Sequence, residues 1–263
     1  MIMKKMFKWA TPLLAASVVL AACGSDDSST GGSTDGGEEK KVYTAGTEAT
    51  FAPFEYLDAS GNIVGIDKDI LDAISAEMGV EIKLENIGWD PVFEQVRSGG
   101  KDIGASGITI TDERKEAYDF TDPYFEATQL IVVKGDSDVE SLADLEGKKI
   151  SVQINTTGHI AAKKAFGETN PDISAFENLP TAIMEMINGA SDAAIGDNAV
   201  VLEYIKNNPD QDLKVIEDNA FEKEYYGLMV KKGNKEVLDM LNEGLAKIKE
   251  NGKLKEITGQ ELE

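Results

Sequence analysis

The chain has 263 residues, a formal net charge of −22, one cysteine and one histidine. This excess of acid argues against nucleic acid as a partner, because nucleic-acid-binding surfaces carry clustered Lys and Arg. A single cysteine excludes an intrachain disulfide framework and any Cys-x-x-Cys metal or redox site. The stability of the fold must therefore come from its apolar cores.

The first residues predict export from the cytoplasm. Three lysines within the first eight residues precede an apolar run, 9–22, that contains no charge. This pattern is typical of a signal peptide, and the run is shorter than the roughly 20 residues that span a bilayer. Cys23 follows a Leu-Ala-Ala sequence, which resembles the bacterial lipobox. The resemblance implies cleavage before Cys23 and a diacylglycerol thioether on its sulfur, which would anchor the protein on the outer face of the cell membrane. The alternative is an ordinary secretory signal that leaves Cys23 as a free thiol.

The segment after the cysteine contains only small, polar and charged residues. Residues 24–41 are Ser, Thr, Gly, Asp, Glu and Lys, a composition that cannot offset the entropy lost on ordering. We therefore predict a signal peptide at 1–22 and a lipidated cysteine with a flexible tether at 23–41. The folded part then spans 42–257, a length that suits two domains of about 100 residues each.

Short β-branched runs alternate with helical patterns in the folded part, which predicts α/β layers with largely parallel sheets. Glycine and Asp-Pro mark helix ends and starts, at Gly79 and Asp90 respectively. The predicted strands are 42–47, 81–86, 102–106, 150–153, 173–176, 193–196 and 226–231. The predicted helices are 66–78, 91–97, 158–166, 181–188 and 235–251.

A repeated pattern predicts two lobes of like topology. Residues 97–104 and 187–194 each contain a helix end, a glycine stop, and an aspartate that opens a strand of small residues. Two extended segments, 127–134 and 215–230, are predicted to cross between the lobes, and two crossings imply a hinge. Ligands of open α/β sheets bind beyond the carboxyl ends of strands, so the cleft between the lobes is the expected site. The predicted lobes are 42–128 with 220–263, and 129–219.

One arginine stands where a helix would not favour it. The segment 107–115, Gly-Ile-Thr-Ile-Thr-Asp-Glu-Arg-Lys, leaves a strand and enters a helix for which Thr111 is the predicted N-cap. Arg114 falls in the first turn, where the helix dipole disfavours a cation. A guanidinium can hold a carboxylate through two parallel hydrogen bonds, so the placement suggests an anion-binding role. Spacing alone leaves open a surface arginine paired with Asp112 or Glu116.

Three ordered motifs point to a known family. They are 47–55 (Thr-Glu-Ala-Thr-Phe-Ala-Pro-Phe-Glu), 107–115, and 119–124 (Asp-Phe-Thr-Asp-Pro-Tyr). Together they resemble the polar amino-acid-binding proteins of ABC importers, solute-binding protein family 3, over nearly all of 42–257. The resemblance implies the α/β periplasmic-binding-protein type II fold, with two βαβ lobes, a two-crossing hinge and a cleft between them. It also implies a receptor, not an enzyme, that binds a free L-amino acid outside the cell and delivers it to the permease. The sequence carries no signal for oligomeric state, and a monomer is the default expectation.

The resemblance assigns the contacts to the shared part of an amino acid. Arg114 would clamp the ligand carboxylate, beside the Thr109 hydroxyl and the Gly107 carbonyl. The Thr157 amide would face the same carboxylate from a helix start. Asp197 would hold the ligand ammonium, and its position also suits the N-cap of the following helix.

The resemblance also assigns contacts to the ligand side chain. Phe51 and Trp89 correspond to aromatic walls, and Trp89 lies in a predicted loop, with ordinary packing as the alternative role. Glu48 matches the position that meets the far end of the side chain. A carboxylate beside two aromatic faces favours arginine, lysine or histidine. Glutamine is the alternative ligand, and a cyclohexadienyl-dehydratase-like enzyme is the alternative function.

Asn155 and His159 lie near the predicted second-lobe contacts. Asn155 stands where many relatives have glycine, and asparagine tolerates the left-handed backbone that this loop would need. His159 has no histidine or cysteine companion, so we predict a surface residue rather than a metal ligand. The sequence predicts neither a metal site nor a cofactor.

Overall fold

The computed structural model of the protein describes residues 40–262. The predicted signal peptide, Cys23 and nearly all of the predicted tether lie outside the described residues. In chain order the strands are β1 (Val42–Thr47), β2 (Thr50–Phe51), β3 (Glu55–Leu57), β4 (Ile63–Val64), β5 (Glu81–Asn86), β6 (Ile103–Gly104), β7 (Tyr118–Phe120), β8 (Phe125–Ala127), β9 (Gln129–Lys134), β10 (Ile150–Gln153), β11 (Ile173–Phe176), β12 (Ala193–Asp197), β13 (Leu213–Ile216), β14 (Glu224–Tyr226) and β15 (Met229–Lys231). The α-helices are α1 (Ile66–Met78), α2 (Trp89–Ser98), α3 (Asp112–Ala117), α4 (Thr157–Phe166), α5 (Leu179–Ile187), α6 (Asn198–Asn207), α7 (Lys235–Glu250) and α8 (Lys253–Thr258).

Two five-stranded sheets share one arrangement of strands. In the first, with the order β5-β1-β6-β15-β7, three parallel strands stand beside antiparallel β15. In the second, with the order β11-β10-β12-β9-β13, three parallel strands stand beside antiparallel β9. The antiparallel neighbour in each sheet directly follows a crossing of the chain between the lobes. The α/β architecture with two lobes of like topology is therefore confirmed, whereas the finer lobe boundaries stay a prediction.

The two crossings meet as a short antiparallel pair, in which β8 pairs with β14. They are shorter than predicted, because 129–134 and 213–216 are strands of the second sheet. Buried rings pack against this pair: the Phe54 ring lies 4.8 Å from that of Phe125 and 5.0 Å from that of Tyr226, between centroids. A two-stranded link of this kind can act as a hinge between two lobes.

Most predicted elements are found at the predicted residues, and α1 and β5 match at both ends. Gly79 ends α1 with a left-handed backbone, φ 66°. The prediction of Asp90 as an N-cap is wrong, because Gly88 takes that position and α2 begins at Trp89. Asp90 instead lies in the first turn, where its charge suits the helix dipole.

The remaining differences arise where the chain leaves a sheet to reach the cleft. The predicted strand 102–106 is only Ile103–Gly104, since the residues after it turn toward the second lobe. The predicted strand 226–231 is two strands, β14 in the hinge and β15 in the first sheet. Helix α8 was not predicted. Across residues 40–262, no helix has the combined length and apolar character needed to cross a membrane.

Candidate functional site

All eight predicted ligand residues meet in one small, enclosed cavity between the two sheets. The cavity is lined by Glu48, Phe51, Trp89, Ser106, Gly107, Thr109, Arg114, Gln153, Thr156, Thr157 and Asp197. Most of this lining follows the carboxyl ends of β1, β6, β10 and β12, which is where open α/β sheets bind ligands. Sequence reasoning missed Ser106, Gln153 and Thr156. The contact of these residues with a ligand stays a prediction.

Arg114 is turned into the cleft by the start of α3. Thr111 is the N-cap, as predicted, and its hydroxyl oxygen accepts from Arg114 N at 3.1 Å. The guanidinium donates from Nη1 to the Thr109 carbonyl at 2.8 Å and from Nη2 to the Asn155 carbonyl, in the second lobe, at 3.2 Å. Asp112 pairs with Lys115 rather than with the arginine. Arg114 therefore bridges the two lobes.

Two aromatic rings support the charge of Arg114. Its Cζ lies 5.5 Å from the Trp89 ring centroid and 5.2 Å from that of Phe93, within the range of cation–π attraction. Burial lowers the pKa of Arg114 to about 10, and the charges of Asp197 and Glu224 oppose that shift. The group is thus a cation at neutral pH. The prediction that Trp89 lies in a loop is wrong: it is the first residue of α2 and packs against the arginine as well as lining the cavity.

A second acid lies beside Asp197, and the sequence did not reveal it. Glu224, on hinge strand β14, accepts at Oε2 from the Thr109 hydroxyl at 3.0 Å and the Thr157 hydroxyl at 2.7 Å. Gln129 Nε2 donates to both acids, at 3.1 Å to Asp197 Oδ1 and 3.3 Å to Glu224 Oε2. Glu224 therefore joins a first-lobe threonine to a second-lobe threonine. Only its place in a predicted crossing could have drawn attention to it.

Asp197 is available to a ligand rather than committed to its helix. It occupies the N-cap position of α6, but its side chain makes no capping hydrogen bond. Its Oδ1 accepts instead from the Tyr226 hydroxyl at 2.6 Å. Burial, and after it the charge of Glu224, raise the pKa of Asp197 to about 7. A cation placed beside Asp197 would favour its ionised form.

Glu48 lines a second end of the cavity, where among the described residues it shares no hydrogen-bond partner with Arg114, Asp197 or Glu224, and it is only 5 % exposed. It accepts from the Thr50 hydroxyl at Oε1 and from Gln153 Nε2, in the second lobe, at 3.3 Å at Oε2. Burial raises the pKa of Glu48 to about 7, and these two hydrogen bonds oppose the shift. The ion pairs formed within residues 40–262 do not include Glu48. This end of the cavity thus presents a buried acid without a cationic partner.

Two glycines let the backbone approach the cavity closely. Gly107 has φ 52°, and a Cβ there would stand 2.8 Å from the Phe51 ring. A Cβ on Gly158, at the start of α4, would stand 2.7 Å from Gln129 Oε1. Side chains at either position would therefore displace residues that line or support the site.

Asn155 has the predicted left-handed backbone, with φ 58°. Its side chain also bridges the lobes, because Nδ2 donates to Asp90 Oδ1 at 3.0 Å. His159 is half-buried, and its Nδ1 accepts from the backbone amide of Asn155 at 3.2 Å. It is therefore not the free surface residue that was predicted. In the described part of the chain, no group of three or more His, Cys, Asp or Glu is arranged to hold a metal ion.

Known proteins are similar to this chain in both sequence and fold. The family described as bacterial extracellular solute-binding proteins, family 3, matches residues 43–261. The probable histidine-binding protein of Neisseria gonorrhoeae is 40 % identical over 218 residues, which cover 82 % of this chain and 81 % of that protein. The crystal structure of the arginine-, lysine-, histidine-binding protein ArtJ of Geobacillus stearothermophilus is 50 % identical, with a TM-score of 0.80 over 86 % of this chain and 97 % of that one. An ancestral arginine-binding protein bound to glutamine is 40 % identical, with a TM-score of 0.77 over 83 % and 96 %.

Proposed function

Because the chain belongs to the bacterial extracellular solute-binding proteins of family 3, with their type II periplasmic-binding-protein fold, we propose that it is the amino-acid receptor of an ABC importer. Arginine, lysine and histidine are the proposed ligands. The observation that carries this specificity is Glu48, a buried acid with no ion-pair partner within residues 40–262, at the end of the cavity away from Arg114.

The Arg114 end suits the carboxylate of any amino acid. Two of the five guanidinium N–H groups of Arg114 donate to main-chain carbonyls, which leaves donors for a ligand carboxylate. Thr157, at the first residue of α4, faces the same region from the second lobe. A helix start adds amide dipoles that favour an anion. The carboxylate would thus be held from both lobes.

The ammonium of the ligand fits between Asp197 and Glu224. Both carboxylates lie near Arg114 and share the donor Gln129 Nε2. An ammonium has three N–H donors, which can replace donors now supplied to these acids by protein side chains. Glu224 lies behind the lining residues Thr109, Thr157 and Asp197, so this role requires the ammonium to displace the threonine hydroxyls that now reach it.

The charge balance of the cavity favours a basic side chain. Two acids, Glu48 and Asp197, line the cavity and Glu224 lies just behind the lining, whereas Arg114 is the one cation among the described residues of the lining. A basic amino acid adds one net positive charge, whereas glutamine adds none. Charges interact more strongly in a buried site than in water, so a cation next to Glu48 would offset the cost of burying its negative charge. Phe51 and Trp89 also line the cavity, and the faces of their rings attract a cation.

Opening and closing of the lobes would control access to the site. The cavity is too small and enclosed for an amino acid to enter without separation of the lobes. Bonds such as Gln153 to Glu48 and Arg114 to Asn155 already join the lobes across the cleft. A ligand that touches both lobes binds the closed form more tightly and so shifts the population toward it. The permease would then recognise the closed form.

Titration calorimetry tests this function directly. The protein is unfolded and refolded to remove copurified ligand, and arginine, lysine, histidine and glutamine are titrated separately. Tight binding of the basic amino acids with weaker binding of glutamine is expected. A preference for glutamine would retain the receptor and remove the argument from Glu48. If no amino acid binds, turnover of prephenate or arogenate would establish the alternative enzyme.

We also propose that Cys23 carries a lipid anchor on the extracytoplasmic face of the membrane. The support is the apolar run at 9–22 and the small residues before the cysteine. Cys23→Ser should move the protein from the membrane fraction to the soluble extracytoplasmic fraction without changing its amino-acid affinity. A protein that stays in the membrane fraction after this substitution would contradict the anchor.

A further inference from the structure

Two carboxyl groups are buried together just behind the cavity lining. Glu55 on β3 and Asp67 in the first turn of α1 are both 0 % exposed, and the backbone holds them close together, because Asp67 N donates to the carbonyl of Phe54, the residue before Glu55, at 2.9 Å. The titratable groups that face them are Tyr124, which donates to Asp67, and Glu48, on the far side of Ser106. Neither acid lines the cavity, and the proposed binding function does not use either.

The hydrogen bonds around the pair show where its proton must be. Asp67 accepts at both oxygens, from the Tyr124 hydroxyl at 2.7 Å and from Gly107 N at 2.9 Å. Glu55 Oε1 accepts from the Ser106 hydroxyl at 2.8 Å, whereas no other N–H or O–H donor in residues 40–262 reaches Glu55 Oε2. Two ionised carboxylates have no donor with which to bond to each other. A proton on Glu55 Oε2 would give this buried atom the partner that it lacks in the described part of the chain and would supply the donor for a bond to Asp67.

We propose that Glu55 and Asp67 share one proton, carried on Glu55, and that this protonated pair positions the first-lobe side of the ligand site. Asp67 fixes the Gly107 amide, in the segment that leads to Thr109 and Arg114. Glu55 fixes the Ser106 hydroxyl, which in turn accepts from Glu48 N at 3.0 Å. The pair thus holds the Gly107 amide through Asp67, and the Glu48 amide through Glu55 and Ser106.

The electrostatic environment supports the same assignment. Burial raises the pKa of Glu55 well above its ordinary value, and the charge of Asp67 adds to the rise. Burial also raises the pKa of Asp67, to about 6, while the bonds from Gly107 and Tyr124 favour its ionised form. The folded chain therefore holds a proton that the unfolded chain releases at neutral pH. The contribution of Glu55 to stability is complete below the ordinary glutamate pKa and is lost as the pH rises through the folded pKa.

Matched amide variants distinguish the two members of the pair. In Glu55→Gln, the side-chain amide can donate to Asp67 while its carbonyl accepts from Ser106, which reproduces the protonated acid. In Asp67→Asn, one acceptor oxygen becomes an NH₂ group, so Gly107 N and the Tyr124 hydroxyl compete for a single acceptor. Exchange of the Gly107 amide with solvent should be unchanged in Glu55→Gln and faster in Asp67→Asn. Equal effects of the two variants would overturn the proposal.

The affinity of the two variants for arginine is a second test of whether the pair positions the site. This test rests on the proposed function, because it requires that the protein binds arginine. Glu55→Gln should keep the affinity for arginine within about threefold of the parent, whereas Asp67→Asn should lose about tenfold or more, because it leaves a buried donor unpaired. A loss in Glu55→Gln as large as that in Asp67→Asn would contradict the proposal.

Carboxyl ¹³C NMR of the parent chain tests the proton itself and needs no ligand. The Glu55 signal, assigned by its loss in Glu55→Gln, should have the shift of a protonated acid at pH 7. An ionised Glu55 at pH 7 would overturn the proposal even if arginine binds tightly. A protonated Glu55 in a chain that binds no amino acid would support the pair while the receptor function fails.

Discussion

The two ends of the cavity balance their charges in different ways. At one end Arg114 faces Asp197 and Glu224, and hydrogen bonds from Gln129, Tyr226 and two threonines complete the set. At the other end Glu48 has only neutral donors. The first end is complementary to the groups that all amino acids share, whereas the second is complementary to a side chain. This difference predicts that changes at the first end affect all ligands and changes at the second affect the choice among them.

The largest expected effect is at the first end, for Arg114→Ala. Loss of one partner of a buried charge pair typically costs about 2–5 kcal/mol. Arginine, lysine and glutamine should therefore all lose at least about thirtyfold in affinity by calorimetry. Lys115→Ala, on the exposed side of the same helix, is the control and should leave all three affinities unchanged. Retention of binding in Arg114→Ala would mean that the carboxylate is held elsewhere.

Glu48→Gln and Glu224→Gln compare the two ends directly. Glu48→Gln should weaken arginine by about 1.5–3 kcal/mol, the range for a hydrogen bond to a charged group, and leave glutamine nearly unchanged. Glu224→Gln should weaken arginine and glutamine by similar factors, because both ligands carry the ammonium. The quantity to measure in each variant is the ratio of its affinity for arginine to its affinity for glutamine. If Glu224→Gln changed this ratio as much as Glu48→Gln does, the ammonium would not lie beside Glu224.

The pH dependence of binding should also differ between ligands. Arginine requires Glu48 and Asp197 in their ionised forms, and the pKa of each is raised to about 7 before a cation arrives. Acidification below neutral pH should therefore weaken arginine binding, by up to about tenfold per pH unit for each acid. Glutamine depends on Asp197 alone, so its slope should be shallower. Calorimetry from pH 8 to pH 5 measures both slopes, and Glu48→Gln should make them equal.

Protein stability should change in the opposite direction over the same pH range. A carboxyl whose folded pKa lies above its unfolded value takes up a proton on folding. Its contribution to stability is present at low pH and is lost as the pH rises through about 4 to 7 for Glu48 and Asp197. Denaturant unfolding without ligand should show this loss, and Asp197→Asn should reduce its slope. The acids that make the site fit for a cation thus lower the stability of the protein at neutral pH.

The sequence predicted more of the residues that line the cavity than of those directly behind the lining, for a physical reason. Local signals decide where α1 begins and ends, and continuous motifs place Arg114 and Glu48 next to strand ends. Glu224 and Gln129 belong to strands beside the hinge, and which of their side chains face the cleft depends on how the two lobes close. That is a long-range property which spacing does not carry. The Asp90 error has a local cause, since Gly88, with φ 89°, ends the loop two residues earlier than the Asp-Pro signal implies.

The smallest expected effect concerns a contact that lies outside the cavity but joins the same two lobes. Asn155→Gly preserves the left-handed backbone, because glycine adopts positive φ freely, and removes only the bond to Asp90. An exposed hydrogen bond contributes about 0.5–1 kcal/mol, so arginine should dissociate about two- to fivefold faster in stopped-flow experiments. Asp90→Ala should have the same effect, and the double variant should be no faster than either single one. Additive effects would place the role of Asn155 in its loop backbone, whereas non-additive effects would show that the side chain holds the closed lobes together whichever amino acid is bound.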